Sequence, residues 1–320
     1  MRFFLLGRQN QAGLYATRAG IAQLWLWHMT EVLSNDLQAM FGLQKMERFT
    51  NKVRMYKNFT PYQDVNNVLS LLLENVKGIL KDEFVGMYLY GSLSSGDFNP
   101  KSSDIDFLVV TENYLPEAII SQLEKMHKQP WAIHSKRAGE LEGAYIPKEL
   151  IRKHSLNGLP CPSINEGTFN LDTPGSDWII QRHVVREYGV VIEGPDPKTL
   201  IDFVSAEDIR NSILGVLHEW WYPMLEDPAW LRDHDDGYRS FAVITMCRVL
   251  HGLEHGTVTS KPKAAQWTRA KVDSKWQLLI DKAIAVSNHE QATIDLEETL
   301  GFIRHAKERI DEKRVKQESL

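Results

Sequence analysis

The feature that most constrains this chain is a pair of carboxylates set into an apolar run. In YLYGSLSSGDFNPKSSDIDFLVV, Tyr88 to Val110, one apolar segment stops at Gly91-Ser92. A polar loop follows, and Asp104 and Asp106 then stand at the head of a second apolar segment. Both segments read as strands, and side chains alternate across a strand, so the two aspartates share one face while Ile105 points to the other. Like charges about 6–7 Å apart repel, and burying them without a partner is costly. A divalent cation resolves the conflict. Magnesium takes hard oxygen ligands, commonly one or two carboxylates plus substrate phosphates. An isolated D-x-D also has a plainer reading, a turn cap followed by a solvent-facing acid.

The residues upstream narrow the choice. Gly91 lets the backbone approach a ligand closely, and Ser92 offers a hydroxyl and an amide at the start of a short polar helix, an arrangement suited to phosphate. GSLSSG is not a Walker A loop, because it lacks the G-K-[ST] ending. A lone Gly-Ser would be an ordinary turn. A strand, Gly-Ser, a polar helix and then S-D-I-D on the next strand form a far more specific sequence.

The remainder of the chain supplies a frame. At 320 residues it suits about two domains. With 43% hydrophobic residues, 25% charged residues and a net charge of −5, it carries no basic excess of the kind a nucleic-acid binder shows. Cys161 and Cys247 make no metal or disulfide spacing and fit a reducing cytoplasm. No run of residues approaches the length of a membrane span, and the N-terminus is too short in apolar residues for a signal peptide.

Residues 1–45 lack a clean apolar period and read as an extension of uncertain status before a plausible start at Met46. From Thr60 the pattern sharpens. Thr60 as N-cap and Pro61 at the first helical position open a helix carrying Val65, Val68, Leu69, Leu72, Leu73 and Val76 at helical spacing. Strands VGMYLY and IDFLVV, a helix LPEAIISQLEKMHKQ, and strands ELEGAYI and GVVIEG follow. This alternation predicts an α/β (α+β) domain with a mixed sheet, counted as residues 46–195. GPDPKTLIDFVS reads as a linker. Beyond it strand signals vanish, and residues 196–320 read as an all-α helical bundle.

The Gly-Ser to D-x-D arrangement resembles the nucleotidyltransferase superfamily that includes DNA polymerase β. Within it the chain is similar to the streptomycin/spectinomycin type of aminoglycoside adenylyltransferase. The likeness continues in TMCRVLHGLEHGTVTSKPKAAQW, through Thr245, Arg248, Gly256, Lys261, Ala264, Ala265 and Trp267. The resemblance implies ATP as substrate and Mg2+ held by Asp104 and Asp106. It adds a third carboxylate, Glu142, as base and further metal ligand, with Glu140 as the alternative. Gly91 and Ser92 would position phosphates, and Arg248 and Lys261 would reach the triphosphate. The family's acceptor region has a tryptophan and acidic residues before the arginine-bearing helix. Here EDPAWLRDHDDGYRS offers Trp230, Asp233, Asp235 and Asp236 at a different spacing, with Trp230, Asp235 and Asp236 as the acceptor candidates.

The expected function is AMP transfer from ATP to a hydroxyl of a small cationic acceptor, an aminoglycoside or aminocyclitol, in a cytoplasmic monomer with an antibiotic-resistance role. No nucleic-acid or membrane partner is expected. Two alternatives stand beside it: AMP transfer to a protein, as in toxin–antitoxin enzymes, and a non-catalytic nucleotide-binding regulator. His251 and His255 lie at i, i+4, but without a third ligand they do not make a zinc site. EWWYPML reads as packing, and Cys161 in LPCPS reads as a loop residue.

Overall fold

Strand β2, Ile105–Thr111, is buried along its whole length, so both of its faces must be covered. The computed structural model that places it describes residues 58–129, 137–153, 158–165 and 167–318. The expectations for residues 1–45 and for a start at Met46 lie outside these. β1 (Phe84–Leu89) runs antiparallel to β2, and β3 (Leu141–Pro147) runs parallel to it on the other side. A parallel neighbour needs a crossover, which contains helix α3 (Glu117–His127). The full sheet is mixed, in the order β5-β4-β3-β2-β1-β6, with β4 at Cys161–Asn165, β5 at Thr168–Asp172 and β6 at Val190–Glu193.

Alternation assigns the two faces. Ile105, Phe107 and Val109 of β2, with Leu141 and Tyr145 of β3 and Met87 and Leu89 of β1, share one core with α1 (Gln63–Leu80) and α3. The stripe of α1 in that core is Val65, Val68, Leu69, Leu72 and Val76, the spacing of a helix that buries one face. Asp106, Leu108, Glu142 and Ala144 belong to the other face. Within the core, Tyr145 meets His127 at 2.8 Å, and burial lowers the His127 pKa to about 4, so the ring is neutral at pH 7.

Two expectations are corrected. α1 starts at Gln63, not Pro61, and Thr60 does not cap it. The Thr60 hydroxyl and amide both donate to the side chain of buried Asn66, at 2.9 Å each, and Asn66 Nδ2 donates back to Thr60 O at 2.8 Å. These bonds fold the entry turn onto the helix instead of ending it. LPCPS is not simply a loop, because Cys161 begins β4 and its strand returns as β5, a hairpin absent from the sequence reading. Pro162 hid it. The proline is tolerated because β4 pairs with β3 only at Ser163 and Ile164, beyond the residue that lacks an amide proton.

The stretch read as a linker, Gly194–Ser205, contains a helical turn, Pro197–Leu200, and buries Pro197, Leu200, Ile201 and Val204. Helix α4 (Asp177–Tyr188) precedes it. After it come α5 (Ala206–Val216), α6 (Asp236–His255), α7 (Lys261–Arg269), α8 (Ser274–Ser287) and α9 (Leu296–Glu318). α5 opens with a capping box between Ser205 and Asp208. α6 is buried without a break from Ser240 to Val249, as expected of a central helix, and it packs against α5, α7, α8 and α9. Its end at Gly256 has φ +64°, which glycine adopts without strain. EWWYPML splits as expected for packing: Trp221 is fully buried at the end of a π-helical turn, Leu217–Trp221, that continues α5.

Gly143 separates the two key strands from a clash. A Cβ placed there would meet the Phe107 carbonyl oxygen and lie 2.7 Å and 2.8 Å from its ring carbons. Gly143→Ala should therefore destabilise the fold by about 1–3 kcal/mol, the usual cost of overpacking. A lowered melting midpoint with a matching loss of activity is the expected result. An unchanged midpoint would show that β2 and β3 can separate freely.

Candidate active site

Gly91, two residues past β1, has φ 68° and ψ −141°, a backbone state that favours glycine, and it caps α2 (Ser92–Ser95). The Ser94 hydroxyl and the Ser95 amide turn back to Gly91 O at 3.0 and 3.1 Å, holding the turn closed. The first amides of a helix have no partner within it. The Ser92 hydroxyl is also buried without a hydrogen-bond partner. Such a turn has donors to spare, which is what a phosphate requires.

The acids come from two neighbouring strands. Asp106 and Glu142 are register partners in the parallel β2–β3 pair, so their side chains stand on the same face. They are 1% and 2% exposed. Asp104 sits just before the first residue of β2. Burial raises the Asp106 pKa above the ordinary carboxylate range, with Asp104 adding to the shift and Lys261 opposing it. Glu140, the alternative to Glu142, lies outside β3 in a helical turn, where Arg137 donates to it at 2.7 Å.

Opposing charge arrives from the helical half. Arg248, in the middle of α6, is 4% exposed, and burial pushes its pKa well below the usual value, against the pull of Asp106. Its Nε donates to Thr259 O at 3.3 Å, which ties α6 to the residues leading into α7. Lys261 opens α7 behind Ser260, whose hydroxyl makes no cap bond and is buried without a partner. One cleft of about 490 Å³ is lined by Gly91, Ser92 and Asp104 on the sheet side and by Arg248, Ser260 and Lys261 on the helical side. That is a volume typical of small-ligand sites.

The cleft fits the metal that the sequence suggests. Among the described residues no three His, Cys, Asp or Glu side chains form a ready-made metal cage. Magnesium does not require one, since it is usually held by one or two carboxylates and completed by phosphate oxygens and water. Asp104 lines the cleft and is available for that role, whereas Asp106 and Glu142 are buried in the strands beside it and do not line it. His251 and His255 lie 4.5 Å apart with tilted rings and pack edge-on against Trp267 at 5.2 and 5.3 Å.

The acceptor candidates are not gathered here. Asp235 caps α6, accepting from the amides of Gly237 at 2.9 Å and Tyr238 at 3.4 Å. Asp236 accepts from Ile294 N and Arg239. Trp230 packs among Trp220, His234 and Tyr238. Asp236 stands at the start of α6, twelve residues and about 18 Å along the helix from Arg248.

Sequence reasoning missed other polar groups. Ser260 carried a signal, since Ser-Lys-Pro marks an N-cap followed by the first helical turn. Tyr90, Asp177 and Gln181 carried none, because each reads as an ordinary member of an apolar strand or helix. The buried Tyr90 phenol is held far above its usual pKa, first by burial and then by Asp106, Glu142 and Asp177. Burial also pushes Asp177 up to about 8, with Glu219 adding to it. Folded Asp177 thus keeps a proton that the unfolded chain releases near 3.8. The stability it gives is present below that value and is lost as pH rises towards 8, at no more than about 1.4 kcal/mol per pH unit. Asp177→Asn should raise the melting midpoint relative to the native protein at pH 8 more than at pH 5. A gap independent of pH would refute the burial account.

Two family matches divide along the cleft. Residues 73–157 match the family described as Nucleotidyltransferase domain, and residues 199–309 match Aminoglycoside adenylyltransferase, C-terminal domain. The aminoglycoside (3'') (9) adenylyltransferase of Shigella flexneri is 26% identical over 230 residues, 69% of this chain and 84% of that protein. The spectinomycin 9-adenylyltransferase of Campylobacter jejuni is 22% identical over 267 residues, 78% of this chain and 95% of that protein. A spectinomycin adenyltransferase from Enterococcus faecialis, crystallised with ATP and spectinomycin, shares the fold with a TM-score of 0.59 at 17% identity. That alignment covers 77% of this chain and 98% of the other. Gly91, Ser92 and the three acids fall in the first matched region and Arg248 and Lys261 in the second, so the chain is a nucleotidyltransferase that resembles the aminoglycoside adenylyltransferase family.

Proposed function

We propose that the protein transfers AMP from ATP to a hydroxyl of a cationic small molecule of the aminoglycoside or aminocyclitol class. The observation that carries this reading is the single cleft with Gly91, Ser92 and Asp104 on one wall and Arg248 and Lys261 on the other. It brings phosphate donors, a carboxylate and two cations to one ligand-sized space. The kinship with aminoglycoside and spectinomycin adenylyltransferases supports the acceptor class.

In this reading the hydroxyls of Ser92 and Ser260 donate to phosphate oxygens. Arg248 and Lys261 neutralise the charge that builds on the departing pyrophosphate, the main requirement of phosphoryl transfer. Glu142 takes the proton of the acceptor hydroxyl. That oxygen forms a bond to the α-phosphorus, and the bond from the α-phosphorus to the pyrophosphate oxygen breaks. Asp104 and Asp106 would hold Mg2+, with Glu142 as a further contact. When bound, the ion supplies charge neutralisation on the triphosphate. A buried Arg248 and a buried Asp106 suit this work, since each is unfavourable to charge alone and is compensated by a charged partner. Among the described residues no helix is long and apolar enough to cross a membrane, and we place the reaction in the cytoplasm, carried out by a monomer.

Pyrophosphate release with ATP, Mg2+ and a panel of aminoglycosides tests the proposal. Release with streptomycin or spectinomycin is expected, and Asp106→Asn should reduce it at least about 100-fold. Chelation of the divalent ion should abolish it. Lys261→Met should raise KM for ATP, lower kcat, or both, while leaving KM for the acceptor near its native value. Tight ATP binding without turnover of any acceptor would overturn the reading.

A further inference from the structure

The loop between β5 and α4 gathers acids that the nucleotide chemistry leaves unused. Asp177 is 7% exposed, and its Oδ2 has no hydrogen-bond partner. Its Oδ1 and Glu219 Oε2 flank one point beside Gly175, lying 3.2 and 3.5 Å from where a Cβ would stand there. Glu219 itself is exposed, and the Ser176 hydroxyl donates to its Oε1 at 2.6 Å, fixing the carboxylate beside the loop. Asp172 of β5 adds a further negative field at Asp177. The groups acting on Asp177 from outside its own turn, Glu219 and Asp172, are both acidic.

A second observation is independent of the acids. Gln181, one turn along α4 from Asp177, is 1% exposed, and neither atom of its amide has a hydrogen-bond partner. A buried amide left unpaired costs about 1–3 kcal/mol, which a ligand with donors and acceptors would relieve. Residues 177, 181, 184 and 188 form one stripe of α4, and its far members, Val184 and Tyr188, line the nucleotide cleft. The near end is on the side of the catalytic acids: the buried Tyr90 phenol, raised first by burial, is raised further by Asp106, Glu142 and Asp177 together. The stripe thus runs from a buried acid beside the exposed Glu219, past an unpaired amide, to the cleft.

We propose that Asp177, Glu219 and Gln181 form the cation subsite of the acceptor. Glu219, and Asp177 once it releases its proton to solvent as the cation arrives, would take an ammonium or guanidinium group and the Gln181 amide an adjacent polar group, holding the acceptor hydroxyl towards Glu142. This rests on the adenylyl-transfer reading above. It assigns acceptor recognition to this loop and not to Asp235 and Asp236, which are occupied in capping and closing α6. A charge-assisted hydrogen bond contributes more than a neutral one, so losing it is felt as a large change in acceptor binding.

Steady-state kinetics on the full chain, with streptomycin and spectinomycin as acceptors, give the test. Asp177→Asn and Glu219→Gln should each raise KM for the acceptor about tenfold or more, with KM for ATP within about twofold of native. Because Asp177→Asn also shifts stability with pH, Glu219→Lys at the exposed position serves as a second variant. It should raise the acceptor KM further, with an unchanged melting midpoint. Calorimetric binding of streptomycin should weaken in parallel. Native turnover with acceptor KM unmoved by all three variants would overturn this subsite and leave the adenylyl-transfer reading standing. Native protein that binds streptomycin through these acids yet releases no pyrophosphate would overturn that reading and keep the subsite. Native protein that neither binds nor turns over either acceptor would overturn both.

Discussion

A carboxylate buried beside another carboxylate is the constraint on which this structure turns. Asp106 and Glu142 are aligned in adjacent parallel strands and nearly closed to solvent. Two such charges cannot stand alone in a protein interior, where desolvation of an unpaired ion outweighs most single interactions. No lysine or arginine stands in the described part of β1, β2 or β3 beside these acids. Arg248 and Lys261 bring opposing charge from the helical half.

That requirement links topology to chemistry. The parallel register of β2 and β3 demands a crossover, and the crossover helix α3, with α1, covers the opposite face. One face of the sheet therefore serves as core and the other is free to carry charge. Arg248 lies in the most deeply buried helix of the second half, where its position is set by packing on four neighbours. Gly143 lets β3 lie close against Phe107, which keeps Asp106 and Glu142 side by side. The charged groups thus stand on the most rigid elements available, which is what geometry-sensitive transfer needs.

Much of this was legible in the sequence. Asp104, Asp106, Gly91 and Ser92 were readable because two apolar runs frame them and nothing about a plain sheet explains them. The helical half was readable from its period, and Arg248 and Lys261 from likeness to a family. The β4–β5 hairpin was not, since Pro162 argues against a strand until its lack of a ladder partner on the β3 side is known. Asp235 and Asp236 attracted attention as an acidic run, but an acidic run before a helix is also what capping requires, and these side chains accept from Gly237, Tyr238 and Ile294. Asp177 and Gln181 stayed hidden because burial without partners is a property of the assembled fold, not of residue spacing.

The position of the unused acids bears on how specificity can vary in such a molecule. The residues that line the nucleotide cleft on the sheet side, and Arg248 and Lys261 opposite them, lie inside the two family-matched regions. Asp177 and Gln181 lie between those regions, in residues 158–198. A change at Asp177 or Gln181 alters the acid field and the unpaired amide without replacing a residue that lines the cleft, whereas Glu219 lies inside the second matched region. Discrimination between acceptors is a difference of binding energies, and it can be adjusted independently only where acceptor contacts are separate from shared ones. The β5–α4 loop meets that condition. The ends of α6 do not, because Asp235 and Asp236 stabilise the helix that carries Arg248, and altering them for a new acceptor would disturb the cation that the buried carboxylates need.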